Sequence, residues 1–211
     1  DADNDGDPDL YLVGGTAIHA NRMLRNDDGV FVDVTAGPLN NNRQGGGVSW
    51  VDYDNDGDLD IYLNNRYAPN ALFRNEGNFL FTDDTSEDLQ ADPRQSLCGA
   101  WSDVDGDGDQ DLYLSNHSYS NPLFFNQGNG VLLETTNTAV SFPDKSLGSA
   151  WGDYDNDGDL DLYVVTAIGQ RNRLYRNDGA GRFTPVEEGA AVLDAGHTYG
   201  VNWADCDNDG D

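Results

Sequence analysis

The chain has 211 residues, of which 37% are hydrophobic, and a formal charge of −28 from 39 acids against 11 bases. A charge this negative excludes nucleic acid, whose phosphates need basic contacts, and anionic membranes for the same reason. No run of 18 apolar residues occurs, so no segment reads as a bilayer-spanning helix.

Taken in order, the chain opens on DADNDGDPD at Asp1–Asp9, and the string returns as DYDNDGDLD at Asp52–Asp60, DVDGDGDQD at Asp103–Asp111 and DYDNDGDLD at Asp153–Asp161. A partial copy, DCDNDGD, starts at Asp205. The copies begin at residues 1, 52, 103, 153 and 205, a period near fifty that signals a repeat architecture. They hold 24 of the 39 acids, so the charge is concentrated rather than spread as in a disordered chain.

Around each acidic string the same elements recur. In the second repeat, Gly47–Val51 reads as an inner strand carrying Trp50, and Ile61–Leu63 as the strand after the acidic loop. Ala71–Arg74 is a third strand, Asn75–Asn78 a turn with Gly77 free to take positive φ, and Phe79–Thr82 an outer strand. Third strands follow the same pattern at Arg22–Arg25, Pro122–Phe125 and Arg173–Arg176, and outer strands at Val30–Val32, Val131–Leu133 and Arg182–Thr184. No helical periodicity of useful length appears. The fold class is all-β: a β-propeller of four-stranded antiparallel blades, about four in this chain. One propeller fragment spans 1–211, with repeats at about 1–46, 47–98, 99–147 and 148–199 and a partial one at 200–211. Trp50, Trp101, Trp151 and Trp203 each stand two residues before a loop, which suits packing between blades better than stacking on a sugar. Cys98 and Cys206 occupy places held elsewhere by small or apolar residues and read as buried thiols rather than a disulfide.

The loop itself has the oxygen pattern Ca²⁺ requires: six to eight oxygens at about 2.3–2.6 Å. Carboxylates at positions one, three, five and nine supply them from Asp1, Asp3, Asp5 and Asp9; Asp52, Asp54, Asp56 and Asp60; Asp103, Asp105, Asp107 and Asp111; and Asp153, Asp155, Asp157 and Asp161. Asp7, Asp58, Asp109 and Asp159, at position seven, would contribute backbone carbonyls, leaving their carboxylates to add field rather than bonds. Gly6, Gly57, Gly108 and Gly158 permit the turn. Position twelve is apolar (Leu12, Leu63, Leu114, Val164), so this is not an EF-hand, whose loop needs Glu there. Asp205, Asp207 and Asp209 form a doubtful partial loop, and the loop at Asp1, with no strand before it, is expected to fray. About four Ca²⁺, one per complete loop, are expected, making metal part of the fold.

The string Trp151–Val164, with Asn172–Asn177 and Gly181–Phe183, resembles the FG-GAP/VCBS repeats of integrin-α-like β-propellers, and in texture the ASPIC/UnbV-type and cartilage acidic proteins. The resemblance implies Ca²⁺ in the hairpin between the first two strands of each blade and a seven-bladed parent. The rest of such a parent would complete the propeller. It also implies a secreted or cell-surface adhesion module.

The connections away from the acidic loops hold all three histidines and five of the eleven bases. His19, Arg43, Arg66, Tyr67, Arg94, His117, Lys145, Arg171 and His197 therefore form the candidate partner face, for a protein or a glycan. Asn116-His117-Ser118 also matches a glycosylation acceptor. No Gly-x-Ser-x-Gly, His-Glu-x-x-His or phosphate-cradling loop is present, so a binding module is favoured over an enzyme. A polysaccharide hydrolase or lyase using Arg and His on that face, and a structural spacer, are the alternatives.

Overall fold

The computed structural model describes residues 1–15, 18–90, 95–135, 139–167, 169–193 and 195–206. The chain divides into two compact units, Asp1–Ser96 and Leu97–Asp211.

The first unit holds two antiparallel sheets. One is three-stranded, β1 (Leu10–Leu12), β2 (Arg22–Asp27) and β3 (Val30–Asp33). The other is four-stranded in chain order, β4 (Gly45–Val51), β5 (Asp60–Asn65), β6 (Ala71–Asn75) and β7 (Phe81–Asp83). The second unit holds two four-stranded sheets, β8 (Ser96–Ser102) to β11 (Leu132–Glu134) through β9 (Asp111–Asn116) and β10 (Leu123–Asn126), and β12 (Ser146–Gly152) to β15 (Phe183–Val186) through β13 (Asp161–Thr166) and β14 (Arg173–Asn177). These are propeller-type blades, as the repeat predicts, except that the first has three strands. The helical content described is one 3₁₀ turn, Gly37–Leu39, and two four-residue helices, α1 (Glu87–Gln90) and α2 (Ala190–Leu193). No helix among the described residues is long and apolar enough to cross a membrane.

The second strand of each four-stranded blade sits at the centre of its packing. β5 is buried at all six positions, because both faces of the strand are covered, and β9 repeats this. The first unit packs Tyr11, Met23, Leu39, Ile61, Leu63 and Phe73 together, with Trp50 against them. The second packs Tyr113, Val140, Leu162, Val164, Tyr175 and Phe183, with Trp151. Trp151 donates its Nε1 hydrogen to the Ala100 carbonyl at 3.2 Å, tying one blade of this unit to the next. A strand-two tyrosine fastens the connection after the first and third blades: Tyr11 Oη donates to Leu39 O at 3.0 Å, and Tyr113 Oη to Val140 O at 3.1 Å.

Register separates the two ends of a blade. Val51 pairs with Asp60 at the acidic loop, and Gly45 with Asn65 at the other end. Five residue steps along β5 separate them, about 17 Å.

Both cysteines are free thiols. Cys98 is half-buried on β8, but Cys206 is exposed, because the segment after Trp203 joins no strand among the described residues.

Candidate metal centre

Each loop is shaped by its own carboxylates before any ligand is considered. The position-one aspartate takes backbone hydrogens from positions five and six: Asp1 from Asp5 (3.1 Å) and Gly6 (2.9 Å), Asp153 from Asp157 (3.2 Å) and Gly158 (2.9 Å). The position-five aspartate accepts the position-seven N–H, at 2.9 Å in Asp56 and 3.0 Å in Asp107. This curl needs a left-handed residue at position four, where Asn4, Asn55 and Asn156 have φ near +60° and Gly106 has +79°. Asn tolerates that region and Gly is free in it, which explains the one departure at position four. The loop at Asp1 has the same bonds as the others and is not frayed.

The position-nine aspartate is a buried staple. One oxygen accepts the position-two N–H (Ala2 to Asp9 2.7 Å, Tyr53 to Asp60 3.2 Å, Val104 to Asp111 3.0 Å, Tyr154 to Asp161 2.9 Å). The other accepts the N–H of an Asn ending the third strand, at 2.8 Å from Asn26, Asn75, Asn126 and Asn177 alike.

The loops gather acids into four clusters: Asp1, Asp3 and Asp5; Asp52, Asp54 and Asp60; Asp103, Asp105 and Asp111; Asp153, Asp155 and Asp161. In each, one oxygen per residue lies within 4.8 Å of the others. Asp9 and the position-five carboxylates of Asp56, Asp107 and Asp157 fall outside these groupings. The position-seven carboxylates also stand apart, yet they do make bonds. Asp7 accepts the Asp28 N–H at 2.8 Å, and Asp58 accepts from the Asn4 side chain at 2.6 Å. Of the partial loop, Asp205 is exposed, and Asp207 and Asp209 lie outside the described residues.

Electrostatics make these clusters costly as bare anions. Burial pushes the Asp60 and Asp111 carboxyls up to about 7, against the two backbone hydrogen bonds that favour the charged form. Asp161 is raised for the same reason. Asp54 and Asp105 are raised by burial and then by Asp56 and Asp107 beside them. Asp3 Oδ1, Asp52 Oδ1, Asp54 Oδ1 and Asp105 Oδ1 are buried without a hydrogen-bond partner. Converging all-oxygen donors with unsatisfied lone pairs fit a hard divalent cation.

The family model for the FG-GAP-like repeat matches residues 1–63 and 103–164. The chain belongs to the FG-GAP-like repeat family. Among solved structures it is similar to one titled as the structural basis of specific recognition of non-reducing terminal N-acetylglucosamine by an Agrocybe aegerita lectin. The TM-score is 0.59 at 19% identity, covering 93% of this chain. The chain spans about half (51%) of that structure. No curated protein matches.

In these FG-GAP-like repeats the candidate partner residues lie at the blade ends opposite the acidic loops. Arg66 stacks on Tyr67, 5.5 Å from its centroid, and its N–H donates to Gln44 O at 2.9 Å, beside Arg43. Lys145 N donates to Gln170 Oε1 at 2.8 Å, which brings Lys145 and Arg171 into one neighbourhood. His197 meets Tyr199 edge-on, 4.6 Å between centroids, and His117 Nδ1 lies 3.2 Å from Ser118 Oγ. His19 lines a cleft with Asn21, Arg22 and Asp33. Arg94 lies outside the described residues. Asn116 is fully buried and hydrogen-bonded to Ser120 O, so it is no glycosylation acceptor.

Two sets of asparagines escaped the sequence reading. Asn75 Nδ2 donates to Leu59 O of its own loop (3.1 Å) and Ala2 O of the preceding loop (2.8 Å), while its Oδ1 accepts Gly77 N–H (3.0 Å). Asn177 repeats this with Leu160, Val104 and Gly179. At the other end Asn70 accepts Asn65 N–H and donates to Ser96 Oγ, as Asn121 does with Asn116 and Ser146. Their recurrence once per period was the available signal.

Proposed function

We propose that this chain is a calcium-stabilised binding module that presents the variable blade ends to a glycan or protein outside the cell and performs no catalysis. The observation that carries the reading is the fourfold carboxylate cluster, with buried, unsatisfied oxygens in the first three loops. It suits Ca²⁺ bound by positions one, three and nine, or one, three and five in the first loop, with the position-seven carbonyl as a further oxygen. The ion would supply structural charge neutralisation: four divalent ions take −28 to −20. In an extracellular setting, affinities of about 10⁻⁴–10⁻³ M are expected, the range of extracellular modules. The acids that could serve acid–base chemistry are engaged in shaping these loops, which supports binding over turnover. Support for a glycan comes from the fold shared with a lectin whose title names terminal N-acetylglucosamine.

The test is a glycan array and a protein-bait screen in Ca²⁺ and in EDTA. Calcium-dependent retention is expected. Turnover of a polysaccharide that is abolished by His117→Ala overturns the reading in favour of an enzyme.

A further inference from the structure

The fourth blade departs from the others where its outer strand ends. In the first two blades an Asp-x-Thr sequence occupies this place. Asp33 stands opposite Leu24, and Asp83 opposite Phe73. Each aspartate accepts the hydroxyl of the threonine two residues on, and Thr35 and Thr85 accept the Met23 and Leu72 N–H at 2.9 and 3.0 Å. Arg22 then pairs with Asp33. In the fourth blade Pro185 stands opposite Tyr175, so Pro185 and Glu187 hold the places of the aspartate and threonine. Arg173, in the place of Arg22, has no outer-strand carboxylate to meet. It pairs with the buried Asp144 and lies over the Phe142 ring, 3.8 Å from its centroid.

Beside this exchange lies a cavity of about 510 Å³, within the range of small-ligand sites; the matching cleft of the first blade is instead lined by Arg22, Asp33 and Thr35. The wall of the fourth-blade cavity is mainly apolar, from Phe142, Leu174, Pro185 and Val192. Its rim carries Arg171 and Glu187, both exposed, and neither makes an ion pair among the described residues. Among the described residues five arginines meet acids, including Arg25 with Asp27, Arg74 with Glu76 and Arg176 with Asp178. Of the described arginines without an ion pair, Arg66 lies over Tyr67 and Arg182 reaches the Asp178 carbonyl, whereas Arg171 borders the cavity. In a chain of −28 an uncommitted guanidinium over an apolar floor is a specific feature.

We propose that this cavity binds a carboxylate-bearing sugar ring, a uronic acid, with Arg171 on the carboxylate, Glu187 accepting a ring hydroxyl and the apolar wall against the C–H face. A planar guanidinium matches a carboxylate in two parallel hydrogen bonds, and a sugar supplies both the hydroxyl and the apolar face. The proposal rests on the glycan-binding reading and names the sugar class and the place.

The experiment is calorimetry of the calcium-loaded chain with methyl glucuronide, methyl glucoside and free glucuronate. The two glycosides differ by carboxylate against hydroxymethyl. A dissociation constant on the order of 1 mM is expected for the glucuronide, with the glucoside at least about tenfold weaker. Arg171→Gln abolishes the difference, and Glu187→Gln weakens both glycosides. Both residues are exposed, so neither variant threatens folding. Free glucuronate weaker than the glycoside marks a chain end as the ligand; equal binding marks the free acid. Equal affinity for glucoside and glucuronide, or an Arg171→Gln variant that binds as the parent does, overturns the proposal. Array binding to neutral glycans that persists in Arg171→Gln leaves the module reading standing while this site falls. Failure of every glycan in the array removes the glycan reading itself.

Discussion

At the acidic end of the blades, four loops share one hydrogen-bond scheme, down to the 2.8 Å bond from a third-strand Asn to the position-nine Asp in every repeat. At the opposite end, the corresponding connections share one Asn anchor each and otherwise go separate ways: a cation over Tyr67, an edge-on His197–Tyr199 pair, an Arg173–Asp144 pair beside a cavity. The contrast shows where each kind of constraint acts. A loop whose backbone is folded by its own carboxylates tolerates no change at those positions. A connection held at one anchor can vary everywhere else, which is what a recognition surface needs.

The largest test of that division is removal of metal. At calcium about 100-fold above the dissociation constant, each site adds about 2.7 kcal/mol. With four loops, and about 2 °C per kcal/mol for a chain of this size, EDTA should lower the melting temperature by on the order of 20 °C. An unchanged melt would remove metal from the acidic end and leave hydrogen bonding alone to explain its uniformity. Next in size are the asparagine hubs. Asn75→Ala removes three side-chain hydrogen bonds of a buried residue and should cost about 2–4 kcal/mol in chemical denaturation, with calcium affinity falling as well. Asn70→Ala, at the opposite end, loses two and should cost less, about 1–3 kcal/mol, with calcium affinity unchanged. Equal effects on calcium would erase the distinction between the ends.

A third test is pH. Asp60 and Asp111 titrate near 7 in the folded chain, above the ordinary aspartate value of 3.8. The folded state therefore holds more protons than the unfolded one between about pH 4 and 7. In EDTA, stability from these groups is complete below about pH 4 and is lost as pH rises through 7. With calcium the order reverses, because the ion needs the carboxylates ionised, so affinity falls as pH drops below 7. Melting curves at pH 5 and 8, with and without calcium, give the sign directly. The smallest effect is expected from Arg66→Ala: an exposed residue at the variable end, within about 0.5 kcal/mol of the parent.

Much of this was legible in the sequence. A period-two Asp pattern with Gly at position six places a turn between strands, and the strands were read within a few residues of where they lie. The misreadings have physical sources. The asparagine hubs look like ordinary turn starters, since Asn favours turns for several reasons and only the fold reveals which carbonyls it reaches. The position-seven carboxylates were assigned no bonds because Asp7–Asp28 and Asp58–Asn4 contacts join residues far apart in the chain. The lining of the fourth-blade cavity was hidden because Pro185 and Glu187 are unremarkable until the register sets them where Asp83 and Thr85 stand. Position two of the acidic loop, which Cys206 holds, is buried in Ala2, Tyr53 and Val104, but the segment around Cys206 joins no strand among the described residues.

The side chain of Asn75, reaching back to Ala2 O while its N–H holds Asp60, bears on how small a working piece of this protein can be. A synthetic peptide of one period would carry a full set of carboxylates yet lack the neighbour's bond that holds its loop backbone in shape. The minimal unit for measuring a faithful calcium constant is therefore two consecutive periods, and a single one should read weaker than the same loop in the intact chain.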